Sequence, residues 1–206
     1  MTLRPLSLIF RMLPAAACLL LSAVAIAATP PADPKQDEKR AADLRLRADK
    51  GDGDAALQIG YLLALGRIPA PRYGTPIIWF KKGCTARSLA ACHNAGVSYE
   101  SGKNGANQDY SEAAAYFLEA AERAFLPSMY NLAALAAESK ITTMDNREGL
   151  KWMLVAQKSA VQCPENPSCK TVTEDQKGYR AKLEDRLSSK ERREAYQLAQ
   201  DWHPRN

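Results

Sequence analysis

The sequence predicts an all-α chain, a right-handed solenoid of helical hairpins, and three observations predict it. The first is a ladder of small residues. Gly60, Gly96 and Ala133 stand at spacings of 36 and 37, each followed six residues later by Gly66, Gly102 or Ser139. The second is a ladder of bulky pairs with the same period. Trp79-Phe80, Tyr116-Phe117 and Trp152-Met153 have first members 37 and 36 residues apart, with Gly83, Ala120 or Ala156 four residues after each. The third is composition: from Lys35 onward the chain is rich in Ala, Leu, Glu, Lys and Arg, which favour helix. The repeating unit is thus a helix with a small residue mid-way, a loop, and a helix with a bulky pair. The small residue lets two helices approach closely, and the bulky pair fills the space between hairpins. One hairpin cannot bury its apolar face alone, so the units must stack.

The elements follow in order. Arg4 and Arg11 bracket the start, an apolar stretch runs from Met12 to Ala28, and Ala25-Ile26-Ala27 is a small-x-small cleavage signal. That is the layout of an export signal, and the run is short for a bilayer crossing, which takes roughly 20 residues. A signal peptide is expected at 1–27 and a Pro-rich spacer at 28–34, with the helical repeat domain over 35–206. A periplasmic or secreted location is expected, with no stable membrane span after cleavage. Lys35 to Lys50 reads as a lone half-unit, with Ala41, Leu44 and Ala48 covering the first hairpin. Hairpins are expected near 54–83, 88–122 and 127–161. Thr75-Pro76 suits a helix start with proline at the first position. Asp109 and Asp145 each precede a glutamate by three residues, Glu112 and Glu148, in a pattern resembling a capping box. The loop from Arg67 to Gly74 is unusual in its Pro and Arg content. Closing helices are expected over about 172–203. Ser188 to Glu191 starts the last of them, Ala195, Leu198, Ala199 and Trp202 form its face, and Pro204 stops it.

Charge and cysteine usage narrow the class. Loss of Arg4 and Arg11 with the signal lowers the net charge from +5 to +3, and the remaining charges of both signs are interspersed. This is a solvated surface and not a nucleic-acid footprint. The cluster Lys190, Arg192 and Arg193 reads as the solvated face of the last helix. Four cysteines remain, Cys84, Cys92, Cys163 and Cys169, and an even count in an exported chain reads as two disulfides. Zinc fits poorly, because only His93 and His203 are available and no C-x-x-C pair exists. No cofactor and no metal site is expected.

The segment Ala91 to Gly102, with Gly96, Tyr99 and Gly102, and the segment Asp109 to Ala121, with Ala113, Tyr116, Phe117, Ala120 and Ala121, resemble the Sel1-like repeat, a relative of the tetratricopeptide repeat. The resemblance covers roughly Ala41 to Ala160. It is strong over this unit and degenerate in the other two, where Leu63 and Ala136 replace Tyr99. The C-x7-C spacing of Cys84 and Cys92 is similar to that of cysteine-rich, secreted members, which bridge these positions across the turn between units. The resemblance implies the bridge Cys84–Cys92. Cys163 and Cys169 flank Pro164 to Ser168, and a bridge between them is expected to staple the loop after the third hairpin.

The family's roles imply an exported scaffold or adaptor that binds another protein. For some exported bacterial members the role is immunity, the neutralisation of an effector toxin. A β-lactam- or cell-wall-related hydrolase of the cysteine-rich type is the competing reading. A serine acyl-enzyme of that kind needs Ser-x-x-Lys, so that a lysine on the next helical turn can activate the serine. No serine here has lysine three residues on. The expectation is that the protein is not an enzyme. Asp109 and Glu112 read as caps, and Trp79, Trp152 and Trp202 as core. Counting from the small residues, positions three before, one after and four after point into the concave groove of a tetratricopeptide-like stack. These are Leu57, Tyr61 and Ala64, then His93, Val97 and Glu100, then Tyr130, Ala134 and Ala137, with Glu138 at the edge. Tyr61 and Tyr130 are either interface anchors or packing residues between helices.

Overall fold

The computed structural model describes residues 33–205. The expected signal peptide and residues 28–32 of the spacer lie outside the described residues. Among the described residues the regular elements are all helices: α1 (Pro34–Asp49), α2 (Gly53–Ala64), α3 (Ala70–Tyr73), α4 (Pro76–Thr85), α5 (Leu89–Ser101), α6 (Tyr110–Ala121), α7 (Leu126–Ala137), α8 (Asn146–Ala160), α9 (Pro167–Asp185) and α10 (Ser189–Gln200). None is long and apolar enough to cross a membrane.

Caps set the helix starts. The Asp109 carboxylate accepts from the amides of Ser111 and Glu112, and that of Asp145 from the amide of Glu148. Each satisfies donors that a helix start leaves open. Ser188 and Glu191 form a full capping box at α10. Thr75 precedes proline at the start of α4 without capping through its side chain. Pro34 is already helical, because Asp33 caps α1.

Three hairpins, α2 with α4, α5 with α6 and α7 with α8, stack in sequence as an α-solenoid. The two ladders meet inside each hairpin. A methyl group added at Gly60 would collide with the ring of Phe80, and one added at Gly96 would lie 2.6 Å from the ring of Phe117. Real side chains do not approach that closely, so glycine is what lets these rings seat. In the third hairpin the same positions hold Ala133 and Met153, both fully buried in one core. An unbranched, flexible methionine leaves room for the extra methyl.

The ends are closed differently. At the start, α1 buries Ala41, Leu44 and Ala48 against α2. Its Asp37, only 3% exposed, takes a two-pronged bond from Arg67 at 2.7 and 2.8 Å. That pair ties α1 to the Pro- and Arg-rich loop, which folds into the single turn α3. The Trp79 indole donates to the Tyr73 carbonyl at 2.6 Å, fixing the loop on the core. At the other end α9 packs across α7 and α8, and α10 packs on α8. Helix α9 begins at Pro167, a residue suited to a first helical position. On α10, Ala195 and Ala199 are buried, and just past its end Trp202 meets Trp152 edge-on, 5.8 Å between ring centres. Leu198, expected on that face, is instead exposed. Disulfides join Cys84 to Cys92 and Cys163 to Cys169.

Candidate functional site

The open face of the stack can be read from burial along α2, α5 and α7. Relative to each small residue, the positions one before and two after are buried: Ile59 and Leu62, Ala95 and Ser98, Leu132 and Leu135. A neighbouring arc is part-exposed in every unit. It carries Tyr61, Val97 and Ala134 one residue after the small position, and Gln58, Asn94 and Asn131 two residues before it. A strip three helices wide therefore runs along one side of the solenoid, apolar and aromatic down its middle, with carboxamides along one flank.

The structure divides the sequence-predicted residues. Tyr61, Val97 and Ala134 lie on the strip, and Leu57 beside it is half-buried. Tyr61 packs edge-on against Phe80 and accepts a hydrogen bond from the Asn94 carboxamide at 2.9 Å. It is thus anchored from behind while part-exposed. Glu100 is half-buried and Glu138 exposed.

His93 and Tyr130 do not belong to the open face, which corrects their placement. His93 is 9% exposed and Tyr130 4%. Both sit three residues before the small position, on the edge that the next unit covers. The Phe117 and Phe125 rings each lie 5.5 Å from the His93 ring, and the Tyr179 ring of α9 lies 5.8 Å from Tyr130. Ala137 is buried in the same way.

His93 shares a 3.0 Å hydrogen bond between Nδ1 and the Ser128 hydroxyl. A histidine beside a serine has the form of a hydrolytic pair, but Ser128 has no exposed surface and no substrate could reach it. Burial pushes the imidazole down to about 4, so it stays neutral and packs as a ring. The pair is a polar tie across the stack. Among the described residues, no three His, Cys, Asp or Glu side chains converge as a metal-binding set.

One charged cluster lies beside the strip, where α5, α7 and α9 meet. The Glu138 carboxylate accepts from the Lys140 ammonium at 2.6 Å and from the Tyr179 hydroxyl at 2.9 Å. Lys140 also lies over the Tyr110 ring, 5.1 Å from its centre. Burial pushes Glu138 up, but these hydrogen bonds and the charges of Lys140 and Lys182 outweigh it, and the carboxyl lies below its ordinary range. Glu100 is the opposite case. Burial raises it, Lys140 offsets part of the rise, and the Glu138 charge adds to it.

Sequence reasoning missed the carboxamides. Their signal was present, since Gln58, Asn94 and Asn131 hold one position in three consecutive units. Helical period alone places the open arc one step nearer the covered edge, which passes over this column.

The helical stack is similar to known solved structures. One is a protective antigen present in uropathogenic Escherichia coli strains that displays an SLR fold, with a TM-score of 0.59 and 22% identity over 80% of this chain. Another is a Sel1 repeat protein from Oxalobacter formigenes, with a TM-score of 0.53 and 18% identity over 81% of this chain. The chain spans 32% of the length of the first and 65% of that of the second. No protein-family model and no curated protein matches the sequence. The protein is an α-solenoid, and its repeats have the Sel1-like fold, as the ladders of small and bulky residues led one to expect. The two disulfides are compatible with an extracellular or periplasmic setting.

Proposed function

We propose that the protein is an exported scaffold or adaptor that holds another protein on the open face of α2, α5 and α7. One observation carries the reading. Three successive units leave the same two helical positions part-exposed, and these hold tyrosine, aliphatic and carboxamide side chains in place of the charged residues of an ordinary solvated face. Interfaces are enriched in aromatics and depleted of charge at their centre. Tyr61, braced by Phe80 and Asn94, supplies a large apolar surface with a polar tip at little cost in side-chain entropy. An oxidising location outside the cytoplasm accords with both bridges.

Site-specific photo-crosslinking in the native cell tests this. A photoreactive residue at Val97 should yield a discrete protein adduct that weakens in Tyr61→Ala. The same residue at exposed Arg193 on α10 should yield none. Equal adducts from both positions, or an adduct indifferent to Tyr61→Ala, would refute the groove.

A further inference from the structure

We infer that the occupant of this face is an extended polypeptide segment, gripped through its backbone by the column Gln58, Asn94 and Asn131 and presenting a lysine or arginine to Glu100. The inference rests on the proposed groove and names what fills it.

The column argues for backbone recognition. A carboxamide offers a donor and an acceptor, the same pair that a peptide bond offers, so each can meet an extended chain irrespective of its side chains. Two of the three are partly committed. Gln58 accepts from Arg40 at 2.8 Å, which leaves its amino group. Asn94 donates to Tyr61 and to the Ala90 carbonyl, which fixes its plane and leaves its oxygen. The Asn131 side chain makes no hydrogen bond among the described residues. The spacing suits a strand. Packed helices lie about 8–10 Å apart, and an extended chain turns equivalent backbone groups to one side every ~7 Å. The rotatable bonds of Asn and Gln absorb the difference where α2 packs on α5.

Charge argues for the basic side chain. The cation nearest Glu100 is Lys140, and Lys140 is bonded to Glu138, which Lys182 also neighbours. Glu100 is left half-buried, with no hydrogen bond to its carboxylate among the described residues. A carboxylate withdrawn from water without a cation is costly. A guanidinium or ammonium delivered by the partner complements it. Val97 and Ala134, beside the carboxamides, leave room for short apolar side chains of the partner.

The experiment uses the full disulfide-bonded protein and a random linear twelve-residue peptide library displayed on phage. Selected peptides are then synthesised, and their affinities measured by fluorescence anisotropy. They should be enriched in Lys or Arg at one register, and norleucine at that place should weaken binding at least tenfold. Glu100→Gln should abolish that difference. Asn131→Ala should weaken every selected peptide about fivefold whatever its sequence, as should methylation of a single backbone nitrogen in the peptide. Peptides that depend on Tyr61 but show no basic preference would overturn the Glu100 assignment and leave the groove standing. Peptides indifferent to Asn131→Ala and to backbone methylation would overturn backbone recognition. Failure to select any peptide would overturn the extended occupant, while the crosslinking result judges the groove separately. Thermal transitions of the variants, at part-exposed sites, should match the parent.

Discussion

Between the first and second hairpins the chain turns through Cys84 to Leu89, and between the second and third through Ala121 to Leu126. The backbones of the two turns are the same. In the first, the amides of Arg87 and Ser88 bond the carbonyls of Cys84 and Gly83 at 2.9 and 3.0 Å; in the second, those of Ala124 and Phe125 bond Ala121 and Ala120 at 3.0 and 3.1 Å. Each turn carries one left-handed residue that is not glycine, Arg87 at φ 65° and Ala124 at φ 67°. The fastenings differ. The first turn is bridged by Cys84–Cys92. The second has Ala121 and Met129 at those places and is held by Phe125 seated on His93. The chain end also reaches it, where the Arg205 amide donates to the Glu122 carbonyl at 2.7 Å. The repeat thus dictates the path of the turn, while the side chains that lock it are free to vary.

The largest break in that comparison is expected at the unbridged turn, through pH. His93 is held at about 4 in the folded protein by burial, below the ordinary value of about 6.5 for an unfolded chain. The sign follows. Below 6.5 the unfolded chain takes a proton that the folded one refuses, so the stabilisation is complete above pH 6.5 and is lost as pH falls toward 4. The shift corresponds to roughly 3 kcal/mol at most. Denaturant unfolding of the wild type and of His93→Gln at intervals across this window isolates it from the carboxylates, which both proteins share. The wild type should lose stability more steeply, and parallel curves would exclude His93 as the source.

At the bridged turn the expected loss is smaller. Replacing Cys84 and Cys92 together by alanine opens a short loop, and cross-linking a loop of this size stabilises by roughly 2–3 kcal/mol. Unfolding midpoints at neutral pH measure it. A drop well under 1 kcal/mol would mean that the backbone bonds alone hold both turns and that the bridge is redundant. The ion pair between Arg205 and Glu122 is mostly solvent-exposed on the arginine side and should add little to the second turn.

The sequence carried the repeat and much of what the repeat controls, because the small and bulky residues are spaced by geometry that every unit obeys. Gly60 and Gly96 announce the rings of Phe80 and Phe117 that they admit. What it did not carry depends on neighbours. A single helix has one period, and from it His93, Tyr130 and Val97 look alike. Only the next unit, with Phe125, Ser128 and Tyr179, decides that the first two are roofed over. Leu198 fails for the same reason, since its helix packs through Ala195 and Ala199 and turns it outward. The left-handed residues were invisible too, because Arg87 and Ala124 lack the glycine that usually marks such a turn.

Those two residues give the sharpest and smallest test of whether the turns are one structure. A side chain in the left-handed region meets its own carbonyl, at a cost of roughly 1–2 kcal/mol that glycine avoids. Against that, glycine gives the unfolded chain extra freedom, and folding must then remove about 0.5–1 kcal/mol more conformational entropy. The net is a gain of about 0.5–1 kcal/mol for glycine after a helix end. Arg87 and Ala124 are both exposed, and neither has a side-chain hydrogen bond or ion pair among the described residues, so nothing else is lost on substitution. Arg87→Gly and Ala124→Gly should therefore raise the unfolding midpoint by the same small amount, and the double substitution should be additive. A gain at Ala124 alone would show that the bridge already relieves the first turn, so that backbone and fastening are coupled after all. A gain at Arg87 alone would place the strain at the bridge. Equal gains leave the path of the turn as the property of the repeat, independent of how each turn is locked.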